Sequence, residues 1–345
     1  GFKFTSTSAI HEPSVVGDVN GDGYEDMLFN NSSNFHNYLV FGGTNFTPGG
    51  SVALPTALGT GTLATGTGTG TSYVSITNGG SYNSGGTIST LHGDFNGDGY
   101  SDFALAQMPT TGIGTGPVYV YYGSASPTAW NSNNLTLAGN GRGFRITGLT
   151  GSNSQKFEST NMGDINGDGM DDIVFNDGDQ RAFVLFGKTD STSVSTADLT
   201  AGIGGFIIDS GSMNANSNLW DADVVGDFNG DGMADMVVSN RNLYVEGVVG
   251  GGAYLIYGRT ATTALTLDNL AVSEGFRISG SSATQAMEEG RTVTAAGDMN
   301  GDGFADLAIT TYQGETVGAV AGAGVVRVVY GGVDKLESMT FQLAN

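Results

Sequence analysis

The sequence predicts an all-β fold, a β-propeller of five blades, each a four-stranded antiparallel sheet carrying one acidic loop. Three observations predict it. The string Gly-Asp-Xaa-Asn-Gly-Asp-Gly-Xaa-Xaa-Asp occurs five times in 345 residues, short apolar runs flank the copies, and the chain is rich in glycine (58 residues) and poor in charge (13%). That balance suits many short strands joined by tight turns better than helices.

The acidic strings begin at Gly17, Gly93, Gly163, Gly226 and Gly297. Upstream lies a Gly-Phe strand start, at Gly1-Phe2, Gly143-Phe144, Gly205-Phe206 and Gly275-Phe276, with Tyr73-Val74-Ser75-Ile76 taking that place before the second copy. Directly downstream come Met27-Leu28-Phe29, Phe103-Ala104-Leu105, Ile173-Val174-Phe175, Met236-Val237-Val238 and Leu307-Ala308-Ile309, which read as buried strands. Each repeat then has a strand ending in an aromatic residue and glycine: Phe41-Gly42, Tyr122-Gly123, Phe186-Gly187, Tyr257-Gly258 and Tyr330-Gly331. The repeats run approximately over 1–71, 72–142, 143–204, 205–274 and 275–345, one domain in all. A Gly/Thr-rich stretch at approximately 56–90 reads as an exposed, mobile insertion. Residues Ser338 to Leu343 resemble Ala264 to Leu270, the segment before Gly275-Phe276, so the tail leads back into Gly1-Phe2. A ring whose two ends share one blade is the expectation, since closure removes exposed strand edges.

The formal charge of −22 arises from 34 acidic against 12 basic residues, which disfavours nucleic acid and anionic membranes as partners and favours divalent cations. Cysteine is absent, so neither disulfides nor thiolate ligands can staple the fold. No apolar run approaches the roughly 18 residues that span a bilayer. The chain opens on Gly1 without a signal peptide, as expected of a processed or excised piece of a longer chain.

Within the first loop, Asp18, Asn20 and Asp22 stand at positions 1, 3 and 5, the Tyr24 carbonyl at 7 and Asp26 at 9. Gly23, at position 6, is expected to take a positive φ and turn the segment around one ion. The same count gives Asp94, Asn96, Asp98, Tyr100 and Asp102; Asp164, Asn166, Asp168, Met170 and Asp172; Asp227, Asn229, Asp231, Met233 and Asp235; and Asp298, Asn300, Asp302, Phe304 and Asp306. Position 7 is expected to serve through its carbonyl alone, leaving its side chain free to vary. An oxygen-only set suits calcium, which takes six to eight oxygen ligands; about five Ca²⁺ ions follow, one per repeat. Turn formation by Asp, Asn and Gly is the bland alternative, but three carboxylates crowded into each of five loops are costly without a cation. An EF-hand is excluded because its twelfth position, a bidentate Glu, is here Phe29, Leu105, Phe175, Val238 or Ile309.

These loops and their flanking strands resemble the FG-GAP repeat, the blade unit of the integrin α-subunit propeller and of many bacterial surface proteins. The resemblance implies calcium held in loops near one face, with partners bound elsewhere. Integrin-like propellers have seven blades; the five repeats here imply five.

Cytosolic calcium is too low to fill sites of the affinity usual for extracellular modules, so the expected location is secreted or cell-surface. The expected role is a non-catalytic adhesion or interaction module, or a unit of a filament or surface layer, engaging protein, glycan or copies of itself. A carbohydrate-active enzyme, lyase- or dehydratase-like, or a lectin on the same scaffold is the alternative. His11, His36 and His92 lie in different settings and no nucleophile–base pattern accompanies them. Glu288-Glu289 reads as a solvated turn, Arg145 and Arg277 as a strand's outer face, and Trp130 and Trp220 as gap fillers or sugar platforms. Asn31, Asn45 and Asn134 head possible glycosylation sequons.

Overall fold

The computed structural model describes residues 2–5, 10–31, 36–46, 48–54, 60–63, 71–77, 91–106, 117–127, 130–131, 141–149, 162–176, 181–211, 219, 221–240, 244–245, 248–249, 252–279, 289–317, 320–333 and 340–342. The fold is all-β, with many strands in several sheets; among the described residues the α-helix is the five-residue turn Thr196–Thr200. No described helix is long and apolar enough to cross a membrane. The chain divides into two compact units, residues 1–149 with 188–195, and residues 150–187 with 196–345.

In the first unit, one sheet runs Ile10–Val15, Met27–Asn31, His36–Val40, Thr71–Thr77, Trp130–Asn131 and a second runs Leu91–Gly93, Asp102–Ala106, Val118–Tyr121, Gly143–Thr147, Val194–Ser195. Four neighbouring strands are antiparallel in each and the last is parallel to its neighbour. Leu28, Leu39, Val74 and Ile76 of the first sheet pack with Phe103, Leu105, Tyr119 and Tyr121 of the second. Strand alternation sends one set of side chains to this face. The strands Lys3–Thr5 and Ser51–Ala53 form a separate parallel pair whose Phe4 and Val52 pack on Phe29 and Val40. Thr60–Leu63, within the stretch read as an insertion, pairs with Thr71–Thr77 and so belongs to the first sheet; its β-branched threonines suit a strand.

The second unit repeats the pattern. Its first sheet runs Ile173–Asn176, Arg181–Leu185, Gly205–Asp209, Leu265–Thr266, opened by a bridge between Gly163 and Asp172. The next runs Asp221–Gly226, Asp235–Asn240, Gly252–Ile256, Gly275–Ser279, Thr340–Gln342, and the last is the three-stranded Glu289–Gly297, Asp306–Val317, Val320–Val329. Two apolar layers fill the spaces between successive sheets. Val174, Phe206 and Ile208 meet Val224, Met236 and Tyr254 in one; Val237, Leu255 and Phe276 meet Val293, Leu307 and Ile309 in the other. Asp223 crosses the second space, accepting the Thr294 hydroxyl at 3.0 Å.

Two departures from the expected frame have a physical cause. Three of the Gly-Phe strands close the sheet of the preceding loop rather than opening their own: Gly143 lies opposite Tyr121, Gly205 opposite Leu185 and Gly275 opposite Ile256. The glycine is needed there because a β-carbon at 143, 205 or 275 would run into the carbonyl oxygen of Val120, Val184 or Leu255. Secondly, the sheets gain a parallel outer strand beyond the expected four, taken from the segment before the next Gly-Phe start, which blunts the antiparallel edge. Arg145 and Arg277 are half-buried rather than solvated, facing Tyr119 and Tyr254 across the strand pair. Trp220, Glu288 and Asn134 lie outside the described residues, as do the side chains of His11, His36 and Trp130.

Candidate metal centre

All five acidic loops have the same internal geometry. In the first, the Asp18 carboxylate accepts the amides of Asp22 (3.0 Å) and Gly23 (2.7 Å), Asn20 Oδ1 accepts the Asp22 amide (3.1 Å), and Asp22 Oδ1 accepts the Tyr24 amide (3.0 Å). Asn20 Nδ2 closes the turn by donating to Asp22 Oδ2 at 3.0 Å. Equivalent bonds recur around Asp94, Asp164, Asp227 and Asp298. Short Asx side chains bonding to amides a few residues on are what make such a run turn rather than extend. The glycine at position 6 has φ of 87°, 89°, 89°, 89° and 91° at Gly23, Gly99, Gly169, Gly232 and Gly303, a left-handed conformation that glycine takes without strain.

Position 9 is the buried anchor. Asp26, Asp102, Asp172, Asp235 and Asp306 are all fully buried. One carboxylate oxygen receives the position-2 or position-3 amide of its own loop: Val19 at 2.9 Å, Asn96 at 3.1 Å, Ile165 at 2.8 Å, Phe228 at 2.8 Å, Met299 at 2.8 Å. The other receives the glycine that ends the aromatic strand: Gly42 at 2.8 Å, Gly123 at 2.8 Å, Gly187 at 2.7 Å, Gly258 at 2.8 Å, Gly331 at 2.9 Å. The Phe/Tyr-Gly signature thus has a physical reason. At Gly123 a β-carbon would stand 2.5 Å from the Ser101 carbonyl oxygen, and at Gly258 2.8 Å from that of Ala234.

Burial pushes the Asp26, Asp172 and Asp235 carboxyls up to about 7 and that of Asp102 up to about 8. Glycine amides oppose the shift; the position-5 carboxylates Asp22, Asp98, Asp168 and Asp231 reinforce it. Asp298 goes the other way, held below the usual carboxylate range by the Gly303 amide.

The oxygens at positions 1, 3 and 5 therefore share one turn, while the position-9 carboxylate is turned to strand-end amides. Among the described residues no three acidic or histidine side chains converge as a ready-made cage. An arriving cation would fix the spacing of the turn's oxygens and hold the loop in one arrangement. The oxygen-only donors of the loop fit a hard divalent ion, which would also offset the position-5 carboxylates that raise the proton affinity of Asp26, Asp102, Asp172 and Asp235.

One feature went unseen in the sequence. The position-7 side chain does not vary freely: it is Tyr, Tyr, Met, Met or Phe, and at Tyr100, Met233 and Phe304 it lies over the position-4 glycine of the preceding loop in the same unit. Tyr100 Cε1 occupies the space where Gly21 would carry a β-carbon, Phe304 Cε1 does so at Gly230, and Met233 Cγ would be 3.3 Å from one at Gly167. The signal was present in the restriction of position 7 to large apolar residues.

No curated protein matches the chain. Residues 290–329, comprising most of the strand before the fifth loop, the loop itself and the two strands after it, match the family model of the FG-GAP repeat; the chain carries an FG-GAP repeat there, consistent with an FG-GAP-like repeat protein.

Proposed function

We propose that this protein is an extracellular, calcium-stabilised β-propeller that serves as a non-catalytic interaction module, engaging protein or glycan at a cell surface or assembling with copies of itself. The observation that carries the reading is the fivefold repetition of one oxygen-lined turn, each turn bonded to a buried carboxylate that anchors a strand end. In each loop the carboxylates at positions 1, 5 and 9, the Asn oxygen at 3 and the carbonyl at 7 would hold the ion, from Asp18 through Asp306. Bound calcium supplies positive charge that offsets crowded carboxylates and fastens loop to sheet in a chain without disulfides. At free calcium about tenfold above the dissociation constant, each site adds about 1.4 kcal/mol.

Five blades are part of the same proposal. In the completed sheets the parallel outer pair has one register: Ile146 faces Val194, Ile208 faces Leu265 and Ile278 faces Phe341, each three residues after the strand's glycine. Phe4, three after Gly1, faces Val52 in the same way. The sheet Glu289–Val329 has three strands, and its position-2 residue Met299 is 62% exposed, whereas Val19, Phe95, Ile165 and Phe228 are 0%. On this proposal the Lys3–Thr5/Ser51–Ala53 pair, which forms a separate sheet, would complete that one as the fifth blade.

Calorimetric titration of the metal-free protein with calcium tests the reading. Binding of about five ions with a rise in melting temperature is expected; no binding at millimolar calcium overturns it. Glycan-array binding, cell-surface pull-down and electron microscopy of the native source would then identify the partner, and turnover of an acidic polysaccharide would replace the module by an enzyme.

A further inference from the structure

Successive loops within each unit are joined by three contacts. The first runs from the amide at position 8 of one loop to the carbonyl at position 1 of the loop before it: Ser101 to Asp18 at 3.0 Å, Ala234 to Asp164 at 2.8 Å, Ala305 to Asp227 at 2.9 Å. A second runs from the residue after the aromatic-strand glycine to the position-2 carbonyl of the preceding loop: Ser124 to Val19 at 2.9 Å, Arg259 to Ile165 at 2.8 Å, Gly332 to Phe228 at 2.8 Å. The third is the position-7 side chain over the position-4 glycine.

These contacts fall on the metal-site machinery itself. Position 8 lies between the carbonyl at 7 and the carboxylate at 9, both assigned to one ion, and its amide binds the main chain of the residue that presents position 1 to the neighbouring ion. Gly230, with φ of 82°, is the peptide between Asn229 and Asp231, so the Phe304 ring restrains the turn that sets the spacing of those two oxygens. Each loop is thereby shaped in part by the loop that follows it.

We infer that Tyr100, Met233 and Phe304 are positioning residues for the calcium site of the preceding loop, and that neighbouring loops consequently fill cooperatively. The inference rests on the calcium reading above. Ordering one loop fixes its position-7 and position-8 atoms, and these restrict the neighbour before it binds; the second ion then meets a turn already ordered, which is positive coupling between sites.

Phe304→Ala in the full chain provides the test, because it uncovers Gly230 while leaving the main-chain carbonyl at 304 and every ligand side chain in place. Calcium titration by calorimetry, well below the melting temperature, should give a Hill coefficient above one for the unaltered chain. In Phe304→Ala the coefficient should fall and one site should weaken by about tenfold, within the range usual for coupled sites. Phe304→Tyr should restore both, which loss of fold would not predict. As a second arm, Asp231→Ala disables the fourth loop; coupling predicts weakened binding at its neighbours as well as one ion fewer. Independent sites, with a Hill coefficient of one and unaltered affinities in both variants, would overturn the inference and leave the calcium reading standing. No calcium uptake by the unaltered chain would overturn both.

Discussion

Asp235 accepts the amide of Gly258 with one carboxylate oxygen and that of Phe228 with the other, both at 2.8 Å. A third amide, of Asn229, reaches the second oxygen at 3.1 Å. One buried side chain therefore joins the acidic loop to the end of a strand 23 residues further along. All three bonds run between protein atoms alone. Asp235→Ala should accordingly destabilise the calcium-free protein, by about 2–4 kcal/mol, since several buried amides lose their acceptor. Urea denaturation of both proteins in chelator checks it; equal midpoints would mean that position 9 acts through the metal alone.

Gly258→Ala attacks the same junction from the other side. The new methyl would meet Met233 Cβ at 2.5 Å and the carbonyl oxygens of Ala234 and Ile165 at 2.8 and 2.9 Å. Two of the three are main-chain atoms that cannot swing away, so a loss of about 1–3 kcal/mol is expected, as for other overpacked sites. Gly23→Ala also strains a positive φ (87°), but nothing lies within 4 Å of its β-carbon. Its cost should be the smaller of the two, a ranking that thermal melts of the variants in chelator would test.

Much of this was legible in the sequence because repetition turns weak local signals into strong ones. The Asx loops and the position-6 turn were readable from Gly23 and its four counterparts, whose positive φ follows from the residue type. The apolar runs after the loops were likewise readable as buried strands, since Ile173, Val174 and Phe175 have nowhere to go but a core. What the string could not show was pairing. That Gly143 closes the sheet of the loop before it is set by partners such as Tyr121, more than 20 residues away, and spacing along the chain carries no record of which edge is taken. Position 9 illustrates the same limit: Asp at regular spacing looks like a ligand, and only the fold reveals its second task of anchoring a glycine amide.

Burial of the Asp26, Asp102, Asp172 and Asp235 carboxyls shapes the pH dependence of the calcium-free protein. Asp in an unfolded chain titrates near about 3.9. In the folded chain Asp26, Asp172 and Asp235 are raised to about 7 and Asp102 to about 8. Between those limits the native state holds protons that the unfolded state has released, so stability falls as pH rises. The contribution is complete below about pH 4 and lost through pH 7–8. Urea midpoints of desalted, calcium-free protein should therefore drop from pH 5 to pH 8. Calcium reverses the sign, because an ion requires the carboxylates ionised: its affinity should increase across the same window, with protons released on binding. A calcium-free midpoint that climbs between pH 5 and pH 8 would show that these carboxyls are already ionised in the fold.

The fifth blade makes the sharpest structural prediction. In the completed sheets the strand ending in aromatic-Gly pairs antiparallel with the Gly-Phe strand, so that Tyr254 faces Arg277 and Tyr119 faces Arg145. A fifth blade of the proposed kind, in the same register counted from Gly331, would set Arg327 opposite Lys3. Because the chain lacks cysteine, the double variant Lys3→Cys with Arg327→Cys would contain two thiols and no others. Directly opposed strand residues bring their α-carbons to about 4.5–5.5 Å, within reach of a disulfide. Mild oxidation of dilute protein should give an intramolecular bridge, seen as faster migration on a non-reducing gel and a higher melting temperature, as expected when a long loop is closed. Bridged dimers and longer ladders would instead indicate that the N-terminal strands complete the sheet of another copy. Free thiols after oxidation would count against either arrangement and leave the Val320–Val329 edge to some other partner.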